Sequence, residues 1–188
     1  ASEAGDPVVV TTPNASGRID ERVAAAGGRI ERVALGTLHE GIAAVRADAA
    51  AGTEVAFAAE PWKHIHPALG GWIDGVASAA ILSRLVAETG LADLREPVTE
   101  RPYRKTEVSC PDGLKAATMA DLETRLPERF DEASVSLDHG VRLAFEDGSW
   151  TLVRPSGTEP YIRVYVESYD ADGLLEDVCA AVEDAVDA

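Results

Sequence analysis

Arg154-Pro155-Ser156-Gly157-Thr158-Glu159-Pro160, with Arg163 just beyond, gathers two guanidinium groups and two hydroxyls on one short stretch of chain. A guanidinium presents a planar fork of N–H donors that fits phosphate oxygens, and its charge strengthens each hydrogen bond it makes. Pro155, Gly157 and Pro160 interrupt regular structure, so backbone N–H groups can turn inward as an anion nest. Taken singly, each residue has a plainer explanation: the arginines pair with surface acids, and the Gly and Pro make a turn. A turn alone needs fewer constrained residues, so the combination predicts a phosphate-binding loop.

A second constellation, Phe57-Ala58-Ala59-Glu60-Pro61-Trp62-Lys63-His64, closes an apolar run and precedes Asp74-Gly75. Glu60 can accept hydrogen bonds from vicinal sugar hydroxyls, His64 can donate one, and Trp62 offers an apolar face to a pyranose. Lys63 adds positive charge toward a phosphate. The plainer alternative is a Glu60–Lys63 salt bridge on a loop, with His64 as a packing residue. His64 and His66 alternate as metal ligands on a strand do, but no third ligand follows at a usable spacing, and His39 and His139 stand alone, so no metal site is predicted. Cys110 and Cys179 lie far apart without a CxxC pair and read as buried thiols.

The elements that must position these residues fall into two groups. From residue 7 to about 95, strand and helix take turns: strands over Pro7–Thr12, Arg29–Ala34 and Glu54–Ala59, and helices over Ser16–Ala26, Leu38–Ala51 and Asp74–Thr89. Residues 60–72 read as an irregular loop. Alternation of this kind predicts a layered α/β domain. Pro97 and Pro102 flank a charged segment that neither period fits, which puts the boundary between a domain of residues 1–96 and one of residues 97–188. Arg101, Arg104 and Lys105 border it, where they could face an acidic neighbour or a phosphate, although a solvated linker is the plainer role, and no site is assigned to them.

Beyond the boundary, Tyr103–Cys110 reads as a strand and Met119–Arg129 as a helix. Three strands follow, Ala133–Leu137, Val141–Phe145 and Trp150–Val153, joined by turns at His139-Gly140 and Asp147-Gly148. Ile162–Glu167 adds another, and Ala171–Val186 is an amphipathic helix with Leu174, Leu175, Val178, Val182 and Val186 on one face. This predicts an α+β domain with an antiparallel sheet.

The chain has 188 residues and a net charge of −16, with thirty-three acids and 17 basic residues of which only Lys63, Lys105 and Lys115 are lysines. A phosphate backbone needs a basic footprint, so nucleic acid is excluded as a partner. An acid-rich, lysine-poor surface reads as halophilic, since a salty medium screens the self-repulsion that otherwise loosens the fold. No apolar run reaches membrane-spanning length, and Ala1–Asp6 has no signal-peptide pattern, so the reading is cytoplasmic and without a membrane partner. A chain that starts with Ala and enters an apolar strand almost at once also reads as a piece of something longer.

Arg154 to Pro160, with Arg163 and Val164, resembles the C-terminal phosphate-binding signature of the α-D-phosphohexomutases, a superfamily that includes phosphoglucomutase and phosphomannomutase. The Phe57–His64 segment is similar to that family's sugar-recognition loop, Gly-Gly-Glu-x-Ser-Gly-His. Glu60, His64 and Asp74-Gly75 agree with it, while Ala58-Ala59, Trp62 and Lys63 depart. The resemblance covers the family's third and fourth domains, and implies that the fourth is TATA-box-binding-protein-like.

It also implies roles. Arg154, Ser156, Gly157, Thr158 and Arg163 bind the substrate phosphate, and Glu60, Trp62, Lys63 and His64 bind the sugar. In the family, a phosphoserine transfers its phosphate to a hexose phosphate, a bisphosphorylated sugar turns over in the cleft, and the phosphate is recovered from the other oxygen. The phosphoserine loop and the Asp-Gly-Asp loop that holds magnesium are absent from this sequence. The resemblance therefore implies that catalytic residues and Mg2+ belong to missing N-terminal domains of the same protein, and that these residues alone are inactive. The rival readings are a noncatalytic phosphosugar-binding module and an interaction domain that uses its antiparallel sheet as a protein platform.

Overall fold

The computed structural model describes residues 5–188, so the reading of Ala1–Ala4 lies outside the described residues. The chain divides into a first compact unit ending at Glu100 and a second, Arg101–Ala188.

In the first unit, strands β1 (Asp6–Thr11), β2 (Arg29–Arg32), β3 (Thr53–Glu60) and β4 (Lys63–Ile65) form one sheet in the order β2-β1-β3-β4. The first three run parallel, and β4 pairs antiparallel with β3. Helices α1 (Arg18–Ala25) and α2 (Leu38–Ala47) make the crossovers, and α3 (Gly75–Thr89) and α4 (Leu91–Arg95) follow β4. Leu38, Ile42 and Val45 recur at helical spacing on α2 and bury against Val8, Val10 and Val55 of the sheet. Asp74 caps α3 by accepting the Ala77 N–H at 2.8 Å, and that bond holds its carboxyl below the usual carboxylate pKa.

The largest departures from the sequence expectation in this unit are three; α1, β1, β2 and β3 shift by one or two residues at their ends. Residues 60–72 are not wholly irregular, because Pro61-Trp62 makes a two-residue turn from β3 into β4. β4 is too short for a periodic pattern, and its sequence, Lys63-His64-Ile65, has little strand character. α2 stops at Ala47 rather than Ala51, and α4 forms where no element was expected.

The second unit is an antiparallel sheet of order β5-β9-β8-β7-β6: β5 (Tyr103–Ser109), β6 (Ser134–Ser136), β7 (Val141–Ala144), β8 (Trp150–Pro155) and β9 (Tyr161–Glu167). Helices α5 (Lys115–Arg129) and α6 (Ala171–Val186) share one core with Val141, Leu143, Val153, Ile162, Val164 and Val166, which occupy one face of the sheet. Trp150, Leu152 and Tyr165, one residue out of phase, make a smaller cluster on the opposite face. The fold class is therefore as read: a layered α/β unit followed by an α+β unit with an antiparallel sheet. α5 starts four residues before the expected Met119, and β8 runs on to Pro155.

Of the three cations beside the boundary, Arg101 is buried rather than solvated, whereas Arg104 and Lys105 are exposed but lie on β5, and the two arginines face acidic neighbours. Arg101 is 2% exposed, with its Nε 3.6 Å from Oε1 of Glu167, itself 1% exposed. Arg104 pairs with Asp172 at 2.7 Å, and Lys105 Nζ lies 5.8 Å from the centre of the Tyr165 ring. No helix of the described residues is long and apolar enough to cross a membrane.

Candidate functional site

The extension of β8 changes where the two arginines stand. Arg154 lies on the strand itself and is paired in register with Arg163 of β9, so both side chains project from the same face of the sheet. That face is the one opposite α5 and α6. Two like charges directly across a strand pair are destabilising, and a carboxylate between them would ordinarily relieve the repulsion. Here no carboxylate forms a salt bridge with either arginine among the described residues.

Phenols hold them instead. Arg163 Nη2 donates to the Tyr161 hydroxyl at 2.8 Å, and Arg154 Nη2 donates to the Tyr165 hydroxyl at 3.2 Å. Each guanidinium also lies over the ring of its partner, 5.3 Å from the Tyr161 centre and 5.7 Å from that of Tyr165. The Tyr161 phenol, and after it that of Tyr165, raises the pKa of Arg163 above its ordinary value. Both Nε atoms are buried without a hydrogen-bond partner.

Between the strands, Ser156 builds the loop. Its Oγ is buried and accepts the N–H groups of Thr158 at 3.4 Å and Glu159 at 3.2 Å, so two of the amides expected in an anion nest are already engaged. The Ser156 hydroxyl hydrogen remains a donor. Gly157 and Thr158 are exposed. A Cβ on Gly157 would meet nothing within 4 Å, and its φ is not positive, so neither crowding nor backbone conformation within the protein requires glycine there. What glycine does supply is room for another molecule to approach the main chain.

Two supports of this loop escaped the sequence reading. Lys115, the first residue of α5, donates from Nζ to the carbonyls of Ser156 at 2.8 Å and Glu159 at 2.5 Å, while pairing with Asp112 at 2.6 Å. Its distance along the chain from the loop left no local pattern to find it by, although it is one of only three lysines. The other is Gly140, whose φ is 108° and which lies against Arg154.

In the first unit, Glu60, Trp62, Lys63 and His64 come together on one hairpin, at the carboxyl end of β3. Glu60 is 8% exposed; its Oε1 accepts Lys63 Nζ at 2.5 Å and its Oε2 accepts the Gly36 N–H at 3.1 Å. The Glu60–Lys63 salt bridge weighed as the plainer alternative therefore exists, and it fixes the hairpin. Trp62 is 98% exposed at the tip with φ of 72°, the left-handed region that favours glycine. His64 packs on Phe57, ring centres 5.6 Å apart, and its Nδ1 lies 3.3 Å from Ser78 Oγ. His66 Nε2 lies 2.8 Å from the same oxygen, and Ser78 donates to the Asp74 carbonyl at 2.9 Å.

Among the described residues no three His, Cys, Asp or Glu side chains gather to hold a metal. These residues do not fit a magnesium centre.

Residues 108–185 match the model of the phosphoglucomutase/phosphomannomutase C-terminal domain. A phosphopentomutase of Thermococcus kodakarensis is 40% identical over 171 residues, an alignment that covers 88% of this chain and 36% of that protein. The chain thus spans about a third of the length of this relative. Among solved structures, a phosphoglucomutase/phosphomannomutase family protein from Burkholderia thailandensis aligns with a TM-score of 0.69 at 20% identity, over 95% of this chain and 36% of the other. The N-acetylphosphoglucosamine mutase of Aspergillus fumigatus, solved in complex with GlcNAc-6P and magnesium, gives 0.58 at 18% identity, over 96% and 39%. Both structural likenesses are of fold.

Proposed function

Because the chain belongs to the α-D-phosphohexomutase superfamily, we propose that it is the sugar- and phosphate-binding part of an enzyme that interconverts hexose 1-phosphates and hexose 6-phosphates, with glucose and mannose phosphates as substrates. The observation that carries this reading is the cross-strand pair Arg154 and Arg163, free of carboxylate partners and bordering the Ser156–Thr158 loop. Each arginine keeps donors for phosphate oxygens. Ser156 and Thr158 supply hydroxyl hydrogens, and Gly157 leaves room for the anion. Such a clamp grips a phosphate whichever end of the sugar carries it, as a mutase requires, and positioning is the dominant protein contribution to phosphoryl transfer.

The hairpin of the first unit supports the sugar-binding half of the reading. Trp62 is held outward as an exposed aromatic face suited to a pyranose, and His64 stands beside it on β4. Glu60 keeps acceptor capacity beyond its bonds to Lys63 and Gly36, because two carboxylate oxygens carry about four lone-pair sites. Bond making is assigned, by the family resemblance, to a serine loop and a magnesium loop that this sequence does not contain, so binding without turnover is expected of these residues alone. The acid-rich, lysine-poor composition supports a high-salt cytoplasm as the setting.

Isothermal titration of this chain with glucose 6-phosphate, mannose 1-phosphate and their unphosphorylated sugars tests the proposal. Both phosphates should bind and the free sugars should not. Arg154→Ala should weaken binding by about 1.5–3 kcal/mol, roughly ten- to a hundredfold, through loss of a charge-assisted contact. Equal binding by Arg154→Ala and the parent chain removes Arg154 from the clamp.

A further inference from the structure

Tyr161 and Tyr165 stand two residues before and two after Arg163 on β9, so the period of the strand puts all three on one face, the face that also carries Arg154. Each guanidinium donates to a phenol and stacks over the ring that bears it, and Arg154 also donates from Nη1 to the Pro155 carbonyl at 3.4 Å. Tyr165 is 3% exposed and packed in the cluster with Trp150 and Leu152, which locks its ring in place. Its phenolic oxygen serves Arg154 diagonally across the strand pair, since Leu152 is the residue directly opposite Tyr165, and also contributes to Arg163.

The choice of acceptor matters. A carboxylate in the place of either phenol would orient its arginine equally well and would relieve the repulsion between the pair, but it would also cancel one of the two positive charges. A phenol accepts the hydrogen bond without a formal charge. A long, rotamer-rich side chain held in its working orientation loses less conformational freedom when a ligand arrives.

We infer that Tyr161 and Tyr165 are positioning residues that fix Arg163 and Arg154 in a preorganised pair while leaving both guanidinium charges uncancelled for a dianionic phosphate monoester. This rests on the reading of the arginine pair as a phosphate clamp. The phenols touch the arginines rather than the phosphate, so their removal acts on affinity through the freedom of the guanidiniums.

Titration with glucose 6-phosphate at constant ionic strength, set beside thermal melts and 15N signals of the arginine side chains, separates this inference from the clamp itself. Tyr161→Phe and Tyr165→Phe keep the rings and remove only the oxygens. Each should bind about three- to tenfold more weakly, the loss of one hydrogen bond, with an unchanged melting temperature and faster rotation of its guanidinium. Tyr161→Glu, which orients Arg163 but cancels its charge, should bind more weakly than Tyr161→Phe.

Wild-type affinity in both Phe variants, with binding lost in Arg154→Ala, overturns the positioning role and leaves the clamp standing. Tyr161→Glu binding as tightly as the parent overturns the charge argument. Wild-type affinity in both Arg154→Ala and Arg163→Ala removes the clamp and the inference with it. Should Tyr165→Phe fail to fold, Tyr161→Phe, at the partly exposed start of β9, decides alone.

Discussion

Gly140 lies so close beneath Arg154 that a Cβ added to it would fall 2.8 Å from the Arg154 Cβ and 2.5 Å from the carbonyl oxygen of Val153. Its φ of 108° is one that side chains rarely adopt, so two independent constraints require glycine there. Gly140→Ala should destabilise the fold by about 1–3 kcal/mol, the usual range for a strained backbone position. Because the displaced neighbour is Arg154, hexose phosphate binding should weaken as well. Urea unfolding and titration on one sample check both.

Trp62 at the hairpin tip is strained in the opposite sense. A non-glycine residue in the left-handed region costs about 1–2 kcal/mol, more than the roughly 0.5–1 kcal/mol of extra chain freedom that glycine loses on folding. Trp62→Gly should therefore leave stability equal or higher while hexose phosphate affinity drops several-fold for want of the aromatic face. A variant both less stable and fully able to bind would contradict this account of the tip.

Lys115→Met keeps the apolar stem and removes the ammonium that bonds to the Ser156 and Glu159 carbonyls. Stability should fall by about 1–3 kcal/mol, the cost of leaving the Ser156 carbonyl without its partner, while the Glu159 carbonyl keeps the Tyr161 N–H at 2.8 Å. Amide hydrogen exchange at Gly157, Thr158 and Glu159 should accelerate locally, ahead of global unfolding. Unaltered exchange in the loop would mean that the lysine does not brace it.

Partial burial, with the nearby Tyr165 and Glu167 adding smaller effects, pushes the Tyr103 phenol up to about 12. The folded protein thus keeps a proton that the unfolded chain releases near the ordinary value of about 10. The stability from this difference is complete below about pH 10 and is lost as pH rises toward 12. Absorbance titration should show one tyrosine ionising later than the others, and Tyr103→Phe should lessen the fall in stability across that interval.

Much of the fold was legible because periodicity survives wherever one face of an element is buried. α6 shows this: Val178 and Val182 are fully buried in the core, and the helix runs over the expected Ala171–Val186. β4 was illegible for the opposite reason, since its pairing depends on a tight turn and on β3 rather than on its own three side chains. That Arg154, Ser156, Gly157, Thr158 and Arg163 gather at one end of β8 and β9 was legible from residue types alone, because arginine, proline and glycine are informative singly. The loop's braces were not: Lys115 and Gly140 act across the sheet and its helix, through contacts that no local spacing encodes. Arg154 was placed in the loop because Pro155 reads as a strand breaker, yet a proline at the end of a strand is tolerated.

Ser78 joins two imidazoles to one oxygen, and its only hydrogen goes to the Asp74 carbonyl. His64 and His66 must each furnish the proton in their bond to that oxygen. In its neutral form His64 then carries hydrogen on Nδ1, and Nε2 is left with a lone pair. Toward a sugar this edge of the ring receives a hydroxyl proton instead of offering one, the reverse of the polarity its residue type alone suggested. On the proposed sugar-binding role of His64, a deoxy sugar missing the matching hydroxyl forfeits that bond, and the carbon at which removal hurts most marks the position that His64 reads.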